Sequence, residues 1–230
     1  MAEPAIAARG LRKSYGSGES AVAVLRGVEL ILNPGEFAAV LGPSGSGKST
    51  LLNLLGLMDR PDAGTLSLGG EDAGSLDDDG RARVRNARLG FVFQFDSLLP
   101  EFTILENVLM PARIARARSL SADAPARDLA RAEILLESLG ITKLAARFPS
   151  QTSGGERQRA AIARALIQSP SVILADEPTG NLDRENGAKV FADFKRLARE
   201  KNAAVILVTH DETQAKTADR ILRMNDGLLL

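Results

Sequence analysis

Phe37-Ala38-Ala39-Val40-Leu41-Gly42-Pro43-Ser44-Gly45-Ser46-Gly47-Lys48-Ser49-Thr50 decides how the rest of the chain is read. Its opening run, Phe37–Leu41, is short and wholly apolar, as expected of a strand buried on both faces of a parallel sheet. Gly42 to Ser49 then fits G-x-x-x-x-G-K-[ST], between that strand and a helix expected to begin near Lys48. Glycines let successive backbone N–H groups turn inward on phosphates where a side chain would intrude. The helix start adds free N–H donors and the positive end of its dipole. Lys48 is then expected to reach the β- and γ-phosphates, and the Ser49 hydroxyl to be placed for Mg²⁺. The stretch implies binding of a nucleoside triphosphate.

Upstream, Ile6–Tyr15 and Val22–Leu32 read as strands around a Gly16–Ser20 turn. Downstream, Pro61–Gly64 reads as a turn before a strand at Thr65–Leu68, and Leu89–Phe93 as a further strand. Asp77-Asp78-Asp79 ahead of Arg81, Arg83 and Arg85 puts acids in a first turn and bases later, as a helix dipole prefers, and a solvated capping turn suffices to explain it. The pattern becomes helical over Thr103–Arg118, Pro125–Leu139 and Ser153–Gln168. Alternation then returns: strand Val172–Ala175, helix Arg184–Lys201, strand Ala204–Val208, helix Glu212–Lys216, strand Arg220–Met224. Asn225-Asp226-Gly227 signals a hairpin before the last apolar residues. Strands alternating with helices predict a mostly parallel α/β sheet interrupted by an all-helical insertion.

Chemistry-bearing residues fall at the ends of those strands. Asp176 and Glu177 end Val172–Ala175, on the side where such sheets bind ligands. A carboxylate there suits Mg²⁺, and its neighbour can orient or deprotonate a water. His210 follows the strand Ala204–Val208, and Gln94 follows Leu89–Phe93. Ser153-Gly154-Gly155-Glu156 is a second glycine-rich helix start. Tyr15, the only tyrosine, can stack on a base or simply end an edge strand.

At 230 residues with 44% apolar and 25% charged residues, the chain fits one large globular domain. Lys and Arg number 29 and so do Asp and Glu, so no basic surplus argues for nucleic acid. Without cysteine there are no disulfides, thiol nucleophiles or thiolate metal sites, and one histidine makes a histidine-based metal centre implausible. No apolar run reaches the ~18 residues of a membrane span. Met1-Ala2-Glu3-Pro4 lacks the charged start and apolar core of a signal peptide, so a cytoplasmic location is expected, with membrane contact only through a partner.

Taken in order, Tyr15, Gly42–Thr50, Gln94, Ser153–Glu156, Asp176–Glu177, Asn181-Leu182-Asp183 and His210 resemble the motifs of ABC-type ATPases. The match covers essentially the whole chain. It implies a P-loop NTPase (RecA-like) α/β fold with an antiparallel β-subdomain and an inserted all-helical subdomain. The implied division is a single domain over 1–230, with a nucleotide-binding core at 1–94 and 169–230 and a helical part at 95–168. The resemblance assigns catalysis to Glu177, His210 and Gln94, and metal contact to Ser49, Gln94 and Asp176. It assigns ATP binding to Tyr15, Gly42, Pro43, Ser44, Gly45, Ser46, Gly47, Lys48, Ser49, Thr50, Ser153, Gly154, Gly155, Glu156 and Asp183. It also implies a head-to-tail pair of identical subunits, each closing its Ser153-Gly154-Gly155 helix on the ATP of the other.

Leu89–Phe95, Leu98-Leu99-Pro100 with Phe102-Thr103, Glu106-Asn107-Val108 and Ala175–Asp183 narrow the resemblance to the ATPases of lipoprotein-releasing systems. Efflux ATPases and cell-division ATPases of the same subgroup are the alternatives. Transmembrane permease subunits are the implied partners, with Phe95, Leu98, Leu99, Phe102 and Ile104 as docking anchors or as core. DNA-repair members carry long coiled coils, and translation members usually fuse two ATPase units; neither pattern is present. A small-molecule kinase leaves Ser153–Glu156 and His210 unexplained. Thr152 stands where the family usually has leucine, and Glu156 where glutamine is more general.

Overall fold

In a computed structural model describing residues 3–117 and 124–230, the glycine-rich stretch leaves β3 (Phe37–Leu41) and enters α1 (Lys48–Leu55). β3 is buried throughout and lies parallel to β8 (Ala204–Val208) on one side and β9 (Arg220–Asn225) on the other. β7 (Val172–Asp176) and β6 (Leu89–Val92) extend the parallel array, and β10 (Leu228–Leu229) folds back antiparallel on β9. The six-stranded order is β10-β9-β3-β8-β7-β6. Asp226 at φ 47° and Gly227 at φ 77° supply the paired positive φ of the expected hairpin turn.

A four-stranded antiparallel sheet of order β2-β1-β4-β5 stands beside it, formed by β1 (Ile6–Tyr15), β2 (Val22–Leu32), β4 (Ala63–Leu68) and β5 (Glu71–Asp72). The helices are α2 (Asp78–Arg88), α3 (Ile104–Ala117), α4 (Ala124–Ser138), α5 (Gly154–Leu166), α6 (Arg184–Glu200) and the short α7 (Glu212–Ala215). α3, α4 and α5 occupy the interval between β6 and β7, as the sequence pattern predicts. Arg118, the expected end of α3, and Met1 and Ala2 lie outside the described residues.

Strand alternation divides the core. Ile173, Ala175, Val205 and Leu207 face a cluster with Val108, Leu135, Ile162, Val190 and Phe194 from the helices. Val172, Leu174, Ile206 and Val208 face the other way, onto Leu51, Leu54 and Leu55 of α1 and the inner residues of β1 and β2. The central sheet is therefore covered on both faces, which is why its strands read as unbroken apolar runs.

Two expectations need correction. β4 begins at Ala63 rather than Thr65, because Gly64 at φ 93° sits where the β1–β4 register skips between Arg9 and Arg12. That bulge lets pairing resume at Ala63 opposite Arg12. The acidic run Asp77–Asp79 is more than a turn: the Asp77 side chain accepts the Gly80 N–H at 2.7 Å, and a helix continues to Arg88. α2 has little apolar stripe to hold it. Arg85 and Arg88 instead donate to the carbonyls of Leu57 and Leu68, tying it to the core.

Candidate active site

The parallel strands end together. Val40 of β3 pairs with Val208 of β8, Val208 with Asp176 of β7, and Ala175 with Val92 of β6. This register sets the Gly42–Ser49 loop, His210, the Asp176–Glu177 pair and Gln94 at neighbouring strand tips along one edge, the usual place for a ligand on such a sheet.

In the loop, Gly45 and Gly47 take φ of 79° and 104°, which L side chains rarely adopt. A Cβ on Gly47 would also stand 2.9 Å from Met224 Cε, and one on Gly42 would overlap the Met224 carbonyl. The Lys48 ammonium donates to the carbonyls of Gly42 at 2.7 Å and Pro43 at 2.8 Å. It has three donors, so one stays available to a phosphate.

Glu177 sits at φ 46°, a costly conformation for a residue with a side chain. Its N–H donates to the Val208 carbonyl at 2.8 Å, its Oε1 meets His210 Nδ1 at 2.7 Å, and its Oε2 accepts from the Thr209 hydroxyl at 3.3 Å. The His210 side chain is 77% exposed and that of Glu177 only 16%, so the contact joins an exposed imidazole to a mostly buried carboxylate. With Glu177 ionised, the contact requires a proton on Nδ1. Burial, and then the charge of Glu177, hold the Asp176 carboxyl above its ordinary value, with Lys48 opposing. A cation beside Asp176 relieves both costs.

Gln94 is linked to the segment after Glu177: Asn181 Nδ2 donates to the Gln94 carbonyl at 2.9 Å, and Gln94 Nε2 to Asn181 Oδ1 at 3.4 Å. Ser49, Gln94 and Asp176 offer only oxygen among their acceptor groups, a donor set fitted to Mg²⁺. Among the described residues no cluster of three or more His, Asp or Glu could hold a metal by itself. Tyr15 ends β1, 43% exposed, its hydroxyl donating to Asp59 Oδ2 at 2.9 Å.

Ser153 caps α5. Its N–H and hydroxyl both donate to Glu156 Oε2 at 2.8 Å, and these bonds, the backbone one foremost, hold the Glu156 carboxyl below its ordinary value. Thr152 donates to the Pro149 carbonyl at 2.9 Å, so its hydroxyl is satisfied locally. Nothing lies within 4 Å of a Cβ built on Gly155, and nothing nearer than 3.5 Å to one on Gly154. Ser153–Glu156 share a cavity of about 440 Å³ with Asn181, Leu182 and Asp183, and no residue of Gly42–Ser49 lines it. Asp183 itself caps α6, accepting from the Asn186 backbone at 3.1 Å and side chain at 2.7 Å.

The segment after Gln94 divides. Leu98 and Ile104 are core, whereas Phe95 and Leu99 are exposed, Phe95 at 71%. The apolar concavity lies elsewhere, about 420 Å³ between α2, β6, α3 and the end of α5, with Met58, Phe91, Phe93, Met110 and Ile114 in its lining. Sequence reading missed these groove residues, and missed Asp59, Lys13, Asn181's bond to Gln94 and Thr209's to Glu177. For Lys13 a signal existed, since residues two apart on a strand share a face and Lys13 precedes Tyr15 by that step. The others depend on contacts between distant segments.

A glycine-rich loop leaving a central parallel strand for a helix, with paired carboxylates two strands away, defines a P-loop nucleoside triphosphatase. The chain belongs to the ABC transporter family, whose profile matches residues 25–180. Among curated proteins it is 47% identical to the lipoprotein-releasing system ATP-binding protein LolD of Anaeromyxobacter dehalogenans, over 100% of this chain and 94% of that one. It is 48% identical to the LolD of Porphyromonas gingivalis, over 97% of this chain and 98% of that one. Among solved structures, the dimeric ATP-binding cassette MJ0796 in a post-hydrolysis state bound to ADP and Pi superposes with a TM-score of 0.87. That match has 38% identity and covers 97% of this chain and 96% of the other. The fold is thus the expected α/β P-loop fold, and the protein is an ABC-type ATPase.

Proposed function

We propose that this ATPase drives release of lipoproteins from the bacterial inner membrane towards the outer membrane, seated on the cytoplasmic face through a transmembrane permease. The observation carrying this reading is the end-to-end likeness to proteins named for that system, at 44–48% identity in several organisms. No described helix is long and apolar enough to cross a membrane, so the membrane step falls to a partner. Met110, Ile114, Phe91 and Phe93 give a permease helix an apolar groove, with Arg85 and Arg164 also in its lining.

In this reading Gly42–Thr50 cradles the triphosphate and Tyr15 stacks on the base. Asp176, Ser49 and Gln94 would hold Mg²⁺, which would offset the charge of the phosphates. Glu177 deprotonates or orients the attacking water, and His210 fixes the carboxylate and faces the γ-phosphate. Ser153, Gly154, Gly155 and Glu156, with Asp183 opposite them, complete the site of a second copy. Free N–H groups and room for close approach are what a phosphate needs there, and the chain's own nucleotide loop does not supply the phosphate. ATP bound between two such helix starts bridges the pair, and hydrolysis removes the bridge.

The test is reconstitution with the cognate permease in liposomes carrying a fluorescent triacylated lipoprotein. ATP-dependent transfer of the lipoprotein to a soluble acceptor, lost with Glu177→Gln, supports the reading. Turnover stimulated by a small amphiphile with the lipoprotein retained assigns the chain to efflux instead.

A further inference from the structure

Tyr15 is more firmly held than a residue at the exposed end of a strand needs to be. Its hydroxyl donates to Asp59 Oδ2 at 2.9 Å, and the Lys13 ammonium lies 5.3 Å from the ring centroid. The same ammonium donates to Asp59 Oδ1 at 2.9 Å and to the Arg60 carbonyl at 2.8 Å, with Asp62 Oδ1 at 3.6 Å. Asp59 Oδ1 also accepts the Arg60 N–H at 2.7 Å, and Asp62 Oδ2 accepts the Ser14 N–H at 2.6 Å. Asp59 stands just beyond the end of α1, so this network joins the helix that starts at the phosphate loop to the strand end that carries the ring.

The arrangement is asymmetric. Lys13, its side chain only 12% exposed, lies over the Tyr15 ring, while the ring as a whole remains 43% exposed. A cation over an aromatic ring is attracted by the ring's quadrupole and holds its plane. A freely rotating tyrosine would lose rotamer freedom each time a base stacked on it, and ordering it beforehand removes that cost. Burial first, and then the bond to Asp59, push the phenol above its ordinary value; burial opposes ionisation of Asp59, but its bonds from Lys13, Arg60 and Tyr15 hold the carboxyl low. The network therefore stays a carboxylate receiving donors across the neutral range.

We propose that Asp59 and Lys13 are positioning residues for nucleotide-base binding, holding Tyr15 as a preset platform for the base. This rests on the stacking role given to Tyr15 above. The chain has no tryptophan and Tyr15 is its only tyrosine, so its emission reports on this ring alone. Binding of Mg-ADP and of inorganic tripolyphosphate is measured by calorimetry on the full chain, alongside tyrosine fluorescence. Asp59→Ala and Lys13→Met should each weaken ADP binding about tenfold, a typical loss for a stacked base, and leave tripolyphosphate binding unchanged. Asp59→Ala should brighten Tyr15 by removing the carboxylate acceptor, and Lys13→Arg should keep wild-type ADP affinity. Unchanged ADP affinity in Asp59→Ala and Lys13→Met, or equal losses for ADP and tripolyphosphate, overturns the proposal. If Tyr15→Ala also binds ADP normally, the stacking role itself is wrong; if it alone loses affinity, only the positioning claim falls.

Discussion

The two glycine-rich helix starts of this protein look alike in sequence and differ in what surrounds them. At Gly42–Gly47 the glycines answer to their own chain: positive φ at Gly45 and Gly47, and Met224 where a Cβ on Gly42 or Gly47 would go. At Gly154 and Gly155 nothing in the chain crowds the missing side chains. One cradle is closed by its own fold and the other is left open. A glycine that its own fold does not require points to something arriving from outside, and the proposed visitor is ATP held by a second copy.

Breaking the chemistry while sparing both cradles gives the largest expected effect. Glu177→Gln should lower kcat by about 10²–10⁴, the usual worth of a positioned base, and keep ATP affinity. Size-exclusion chromatography in Mg-ATP should then show a lasting dimer; turnover near the wild-type rate removes Glu177 from its assigned role. Next comes the closed cradle itself. Lys48→Ala should lose measurable ATP binding by filter assay, and with it any nucleotide-driven dimer, while retained affinity would detach Lys48 from the phosphates.

The open cradle allows a sharper separation of stability from activity. Gly155→Leu should melt at or slightly above the wild-type temperature, because glycine inside a helix costs up to ~1 kcal/mol against better helix formers. Its ATPase rate should nevertheless fall at least about tenfold, an estimate for a helix start denied close approach to phosphate. Gly42→Ala should do the reverse to stability, losing about 1–3 kcal/mol by overpacking against Met224. Equal melting temperatures for the two variants would erase the contrast.

The smallest effect lies in the cap of the open cradle. Glu156 has its carboxyl held low by the Ser153 backbone and hydroxyl, so its contribution is present above its unfolded value and lost as pH falls through the lower folded one. Glu156→Ala should cost about 1 kcal/mol at pH 7, a usual figure for a lost cap. The difference should close on acidification below about pH 4. A constant difference across that range means the side chain matters only by packing.

The same contrast sets what was readable in the sequence. The strand tips could be placed because a buried parallel strand is a local pattern: Phe37–Leu41 and Ala204–Val208 stand where the apolar runs put them. Glycine spacing marked both cradles, but not that one is crowded and the other open, since Met224 reaches Gly42 from the far end of the chain. β4 was misjudged by the bulge at Gly64, where a turn-like residue sits inside a strand. Among the would-be docking anchors Leu98 and Ile104 proved to be core, because exposure is settled by α3 packing and not by composition. The apolar groove draws on Met58, Phe91 and Ile114, residues too scattered along the chain to form a pattern.

The central claim, that one chain holds only half of a working site, is tested most directly by ATPase rate against protein concentration. Specific activity of the full chain should climb with concentration and level off as dimers form, and Gly155→Leu should stay near zero throughout. A specific activity constant down to very dilute enzyme, with Gly155→Leu as active as wild type, would contradict it.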